Sequence, residues 1–166
     1  MAVLDDIDRR IIAALQAEGR LPMVDLAERV GLSPTPCQRR VKRLEDEGVI
    51  QRYAALVAPE AMGIGLQALV EVTLHDHAEA TVEAFEKEIR ARPEVVAGYA
   101  MTGDMDFLVH VFAPDLARFS DFAMKALLRM PGVRGTRSSF IIQSVKSDLA
   151  WAPEKAPSQP SDRARR

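Results

Sequence analysis

Between residues 33 and 44 the chain carries Arg39, Arg40, Lys42 and Arg43 and no acid, a local charge of +4, and the acids Glu45, Asp46 and Glu47 follow at once. Guanidinium and ammonium groups at this density suit phosphate oxygens, and side chains such as Gln38 and Arg39 can hydrogen-bond the edges of bases in a major groove. On a helical wheel Thr35, Gln38, Arg39 and Lys42 share an outward face opposite Cys37, Val41 and Leu44. The pattern assigns Gln38 and Arg39 to base edges and Lys42 and Arg43 to phosphates, with Ser33, Pro34 and Thr35 opening the segment. The bland alternative is a helical bundle with a solvated basic face.

Other chemistry is poorly represented. His75, His77 and His110 are the only histidines, and no Cys or carboxylate cluster completes a metal site of recognisable spacing. There is no phosphate-binding glycine loop and no nucleophile elbow, so neither an enzyme nor a metal is expected. The single cysteine, Cys37, lies on the apolar stripe and is expected in a core.

The elements that must position the basic segment follow from capping and periodicity. Asp5 or Asp6 caps a first helix with Ile7, Ile11, Ala14 and Leu15 on its apolar face, ending near Gly19. Pro22 starts a short second helix that buries Leu26, Ala27 and Val30, and Gly31 stops it. Ser33 caps the third, with Pro34 in its first position, and Gly48 ends it. The close spacing of the second and third helices across Gly31-Leu32-Ser33 is that of a helix-turn-helix. Residues 49–57 should be extended, a short strand and linker.

Beyond residue 60 an internal repeat takes over. Arg92-Pro93-Glu94-Val95 and Met130-Pro131-Gly132-Val133 each end a helix and enter an apolar strand, 38 residues apart. Each unit reads strand, helix, strand: strands over 66–74, 105–112 and 137–145, and helices over 81–91 and 116–130. Two such units predict a four-stranded antiparallel sheet with both helices on one face, a ferredoxin-like βαββαβ arrangement. The other face carries apolar residues too, which predicts that a second copy of the chain covers it.

Composition divides the chain at the same places. Residues 1–60 carry a net charge of −1, residues 61–151 carry −3 and hold eight of the nine aromatics, and residues 152–166 carry +2 with three prolines. The overall −2 therefore hides a basic helix balanced by acids elsewhere. The last stretch has too little apolar surface to fold and is expected to be a disordered tail. One cysteine, an acidic start and no apolar run approaching a membrane span lead to the expectation of a cytoplasmic protein with no membrane partner.

These residues match a family. Gly31-Leu32-Ser33-Pro34-Thr35-Pro36-Cys37, then Val41-Lys42-Arg43-Leu44-Glu45 and Gly48-Val49-Ile50, resemble the leucine-responsive regulatory protein (Lrp/AsnC) family of transcription regulators. Gly103-Asp104-Met105-Asp106-Phe107 and Leu128-Arg129-Met130-Pro131-Gly132-Val133 resemble the family's effector-domain signatures, and the likeness covers about residues 4–147. It implies an α+β chain: an N-terminal winged helix-turn-helix that binds double-stranded DNA, then the ferredoxin-like effector domain. It also implies assembly as dimers, tetramers or octamers in a bacterial or archaeal cytoplasm, with no cofactor and a small effector, commonly an amino acid. By the same resemblance Thr102, Gly103, Asp104 and Asp106 belong to the effector pocket, with Ser138 and Ser139 contributed across an interface. A turn N–H at Gly103 or Asp104 suits a carboxylate and an ionised Asp suits an ammonium group, although the pair could equally just turn a hairpin. A free-standing amino-acid-sensing oligomer without DNA function is the alternative, and the acid-free basic segment argues against it.

Overall fold

The structure is a computed structural model that describes residues 3–146 of the 166-residue chain. The tail expected over 152–166 lies outside the described residues. The chain divides into two compact units, with the boundary between Ala55 and Leu56, a few residues before the division drawn from composition.

The first unit holds α1 (Asp6–Ala17), α2 (Met23–Val30) and α3 (Pro34–Asp46). Asp5 begins α1 with a reciprocal capping box, its side chain accepting from the Asp8 N–H while the Asp8 side chain accepts from the Asp5 N–H. Gly31 ends α2 at φ +72°, a left-handed conformation that glycine adopts without strain. The Leu32 N–H then closes onto the Ala27 carbonyl at 2.8 Å, which sets the tight corner into α3.

The three helices enclose one core of Ile11, Ala14, Leu26, Ala27, Val30, Cys37, Val41 and Leu44. Burying each large member contributes about 1.5–3 kcal/mol, more than any surface contact of this unit can offer. Cys37 is fully buried, and desolvation raises its thiol pKa above the ordinary value, consistent with a packing role. Residues 51–58 form no ladder, contrary to the strand expected within 49–57. A strand needs a partner, and no other segment of this unit is extended beside it.

The second unit is built on a four-stranded antiparallel sheet in the order β2-β3-β1-β4, formed by β1 (Leu66–Leu74), β2 (Val95–Ala100), β3 (Phe107–Ala113) and β4 (Val133–Phe140). Helices α4 (Glu79–Arg90) and α5 (Leu116–Lys125) complete the βαββαβ order. Alternation sends Ala68, Val70, Val72 and Leu74 of β1 and Phe107, Val109, Val111 and Ala113 of β3 into one core with Phe85 and Ile89 of α4 and Phe119, Phe122 and Ala123 of α5.

Two boundaries differ from expectation. The helix expected over 116–130 gives way after Lys125 to a short 3-10 turn, Leu127–Arg129, yet Leu127 and Met130 are still buried. The last strand is Val133–Phe140 rather than 137–145, because its pairing with β1 runs from Leu74 opposite Val133 to Ala68 opposite Phe140. Ile142 and Val145 lie beyond it, exposed. The sheet's second face carries Leu69, Leu108, His110, Phe112 and Tyr99 and has no helix over it. There the His110 pKa is lowered by desolvation.

Candidate functional site

The basic segment is α3, and the structure sorts its cations into two groups. Ser33, Pro34, Thr35, Gln38, Arg39 and Lys42 are all exposed, as the wheel requires. Arg39 makes no side-chain hydrogen bond or ion pair among the described residues, and Lys42 is 72% exposed with only an i,i+4 contact to Asp46. Such a pair is worth a few tenths of a kcal/mol and is readily exchanged for another anion. Ser33 occupies the N-cap position in an extended conformation but its side chain caps nothing. The reason is local: the third helical residue is Pro36, which has no N–H to donate. Of the first three helical residues only Thr35 carries an N–H, so this helix start offers an anion one backbone donor plus two free hydroxyls.

The other two cations turn toward α1. Arg43, expected at phosphates, instead places Nη2 2.6 Å from Asp8 Oδ2. The Nη1 of Arg40 lies 2.6 Å from Asp5 Oδ2 and 2.9 Å from Asp8 Oδ1. Asp8 is fully buried, so its two oxygens are wholly occupied by two guanidinium groups and the Asp5 N–H. The Asp5 carboxyl is lowered from 3.8 to about 2, chiefly by the Asp8 N–H and then by Arg40. Arg40 is raised correspondingly by Asp5 and Asp8.

A depressed carboxyl pKa stabilises the folded state above the unfolded value and loses that contribution as pH falls through the folded one. For Asp5 the window runs from about 4 down to about 2. Asn is as good a helix cap as Asp, so Asp5→Asn removes the charge and spares the cap. We expect the urea midpoint of the wild-type chain to fall more steeply than that of Asp5→Asn across this window, followed by circular dichroism. Parallel curves would assign Asp5 no charge-dependent role.

In the second unit the turn between β2 and β3 is closed by the Met101 N–H on the Asp106 carbonyl at 2.9 Å, with Gly103 at φ +111°. Thr102, Gly103 and Asp104 are exposed at its tip. Asp106 is drawn inward: one carboxylate oxygen accepts from the Leu74 N–H at 2.7 Å and the other lies 2.6 Å from His77 Nε2. These contacts, the Leu74 N–H first, hold its pKa below the ordinary carboxylate value. Asp106 is thus a strut under the turn.

Asp104 and Met105 border a cleft of about 320 Å³ with Glu71 and Thr73 of β1 and Arg134, Gly135, Thr136 and Arg137 of β4. Glu71 and Arg137 are direct cross-strand partners, beside the register shift at Thr73 and Leu74. Two carboxylates and two guanidinium groups therefore surround a space of amino-acid size. Neither Ser138 nor Ser139 lines it, and the two do not share a surface: Ser138 pairs with buried Val70, Ser139 with Leu69 on the opposite face. Sequence reasoning missed Glu71, Arg134 and Arg137, because only strand register brings them to Asp104.

The Lrp/AsnC ligand binding domain family matches residues 67–151, and the winged helix-turn-helix DNA-binding family matches residues 4–51. The leucine-responsive regulatory protein of Escherichia coli K12 is 41% identical over 143 residues, covering 86% of this chain and 87% of that one. The chain belongs to the Lrp/AsnC family. Among solved structures, a transcriptional regulator of Neisseria meningitidis in complex with L-Met is 42% identical with a TM-score of 0.84, covering 90% of this chain and 96% of its own. The leucine response regulatory protein LrpA of Mycobacterium tuberculosis is 34% identical with a TM-score of 0.80, covering 90% and 100%.

As an Lrp/AsnC transcriptional regulator, the protein joins a DNA-binding winged helix-turn-helix to a ferredoxin-like ligand-binding domain, and it is not an enzyme. Among the described residues no group of three His, Cys, Asp or Glu side chains is placed to hold a metal ion, and no helix is long and apolar enough to cross a membrane.

Proposed function

We propose that this Lrp/AsnC regulator docks α3 in a major groove through Ser33, Pro34, Thr35, Gln38, Arg39 and Lys42, and that an α-amino acid bound at the cleft beside Asp104 controls that docking. The observation that carries the effector reading is the charge arrangement around the cleft. Arg134 and Arg137 suit a carboxylate, Glu71 and Asp104 suit an ammonium group, and one zwitterion satisfies both. Thr102 and the Gly103 N–H close the turn side, and Asp106 holds the turn in place from beneath. The L-Met complex of the Neisseria relative supports the same ligand class. The apolar face of Leu69, Leu108, Phe112 and Tyr99 supports self-association through the sheet, with Ser139 on that face. The working compartment is the cytoplasm, where DNA and free amino acids meet.

A thermal-shift screen of the twenty amino acids tests the effector. A ligand selective for the folded state stabilises it by about 2.7 kcal/mol at a hundredfold excess over Kd, so the effective amino acid stands out. Asp104→Ala and Arg137→Ala should each raise the concentration giving half the shift about tenfold or more, the loss expected for one charge-assisted contact. No shift with any amino acid would remove that ligand class. Equal loss of ligand response and DNA affinity in both variants would mark the turn as structural only.

A further inference from the structure

The capping box of α1 does more than start a helix. Asp8 sits three residues before Ile11 and seven before Leu15, on the stripe that faces the core, and it is fully buried. A carboxylate there is costly unless paired, and its partners come from α3: Arg40 on Oδ1 at 2.9 Å and Arg43 on Oδ2 at 2.6 Å. Asp5 adds a second acid to Arg40 at 2.6 Å. Two of the four cations in the acid-free segment are thus neutralised by another helix, and their side chains are only 30% and 43% exposed.

We propose that Asp8, assisted by Asp5, is an internal counter-anion that withholds Arg40 and Arg43 from the DNA backbone and so limits sequence-independent binding by the recognition helix. Each phosphate neutralised by a protein cation contributes about −0.9 to the slope of log K against log salt, whatever the base sequence. A helix with all four cations free would bind any duplex through that term. Holding two of them on Asp8 keeps the charge needed to orient α3 rigidly on α1 and leaves Arg39 and Lys42 as the cations in play. Asp8 is therefore a specificity-determining residue that touches no DNA.

The proposal rests on α3 being the DNA-facing helix, and the test separates the two. Binding of the full chain to a random-sequence duplex is measured across a salt series. Arg40→Gln should leave the slope within error of wild type. Asp8→Asn should steepen it by about one to two and tighten binding at low salt, as one or two arginines are released to phosphates, and Asp8→Asn with Arg40→Gln should return about one of those. General destabilisation cannot steepen a salt slope. A slope flattened by about 0.9 in Arg40→Gln shows that Arg40 already contacts phosphate and overturns the proposal. So does an unchanged or flatter slope in folded Asp8→Asn. If Asp8→Asn does not fold, Arg40→Gln alone decides between the two outcomes. Arg39→Ala is the control for the helix: a slope unchanged by it shows that α3 does not face DNA and overturns both readings.

Discussion

Gly132→Ala is expected to destabilise the ligand-binding unit by about 3 kcal/mol or more, a large share of the stability of a unit this size. Two costs add. Gly132 sits at φ +76°, where an L side chain costs about 1–2 kcal/mol. A Cβ there would also meet Thr81 Cγ2 at 2.2 Å, well inside van der Waals contact, with Leu74 Cδ2 behind it. Thr81 has little freedom to move aside, because it is β-branched and its hydroxyl is bonded to Asp76, whose pKa that bond lowers. The position is anchored as well, since the His75 N–H donates to the Gly132 carbonyl at 2.7 Å. Gly63→Ala is the matched control, with φ +74° and nothing within 4 Å of its new Cβ, so it carries the backbone cost alone. Urea titration should place Gly132→Ala well below Gly63→Ala, and Thr81→Ala should recover most of the difference in the double variant. Equal midpoints for the two glycine variants, or no recovery by Thr81→Ala, would sink the account.

How far the fold was legible depended on where the sequence carries punctuation. The first unit was read almost residue for residue, since Asp5, Gly31, Pro34 and Gly48 mark its helix ends and the eight buried residues repeat with helical period. Strands β1 and β3 alternate clearly because one face of each is wholly buried. Strand β4 is an edge strand with mostly exposed, polar residues, while the apolar run Phe140, Ile141, Ile142 lies at and beyond its end. Hydrophobic pattern therefore pulled its expected start downstream. Nothing before Pro131 announces the break after Lys125, where Ala126 leaves helical geometry at φ −112°. At the cleft, Gly103 and Asp104 stand out as a turn, but Glu71, Arg134 and Arg137 read as ordinary solvated strand charges until pairing with β1 gathers them. Asp8 was different: an acid on an apolar stripe was visible in the sequence, and its partners lay in the one segment rich in arginine.

The expected effect of Arg39→Ala with Lys42→Ala is a fall in DNA affinity of about a hundredfold or more, with the salt slope flattened by up to about 1.8. The estimate combines one base-edge contact, worth about 1–3 kcal/mol, with the counterions no longer released. It relies on these two cations being the available ones. Arg39 has no partner among the described residues and Lys42 holds only an exposed i,i+4 contact, so neither must break a strong interaction to reach DNA. For the same reason folding should be nearly untouched, within about 0.5 kcal/mol, because both side chains are exposed and pack against nothing. That separation makes the experiment decisive. A variant that keeps its urea midpoint and loses affinity and slope together has lost a DNA-facing surface. A variant that keeps wild-type affinity and slope places the DNA contacts elsewhere than the outward face of α3, because Arg40 and Arg43 are committed to Asp5 and Asp8 and no other cation lies in the segment.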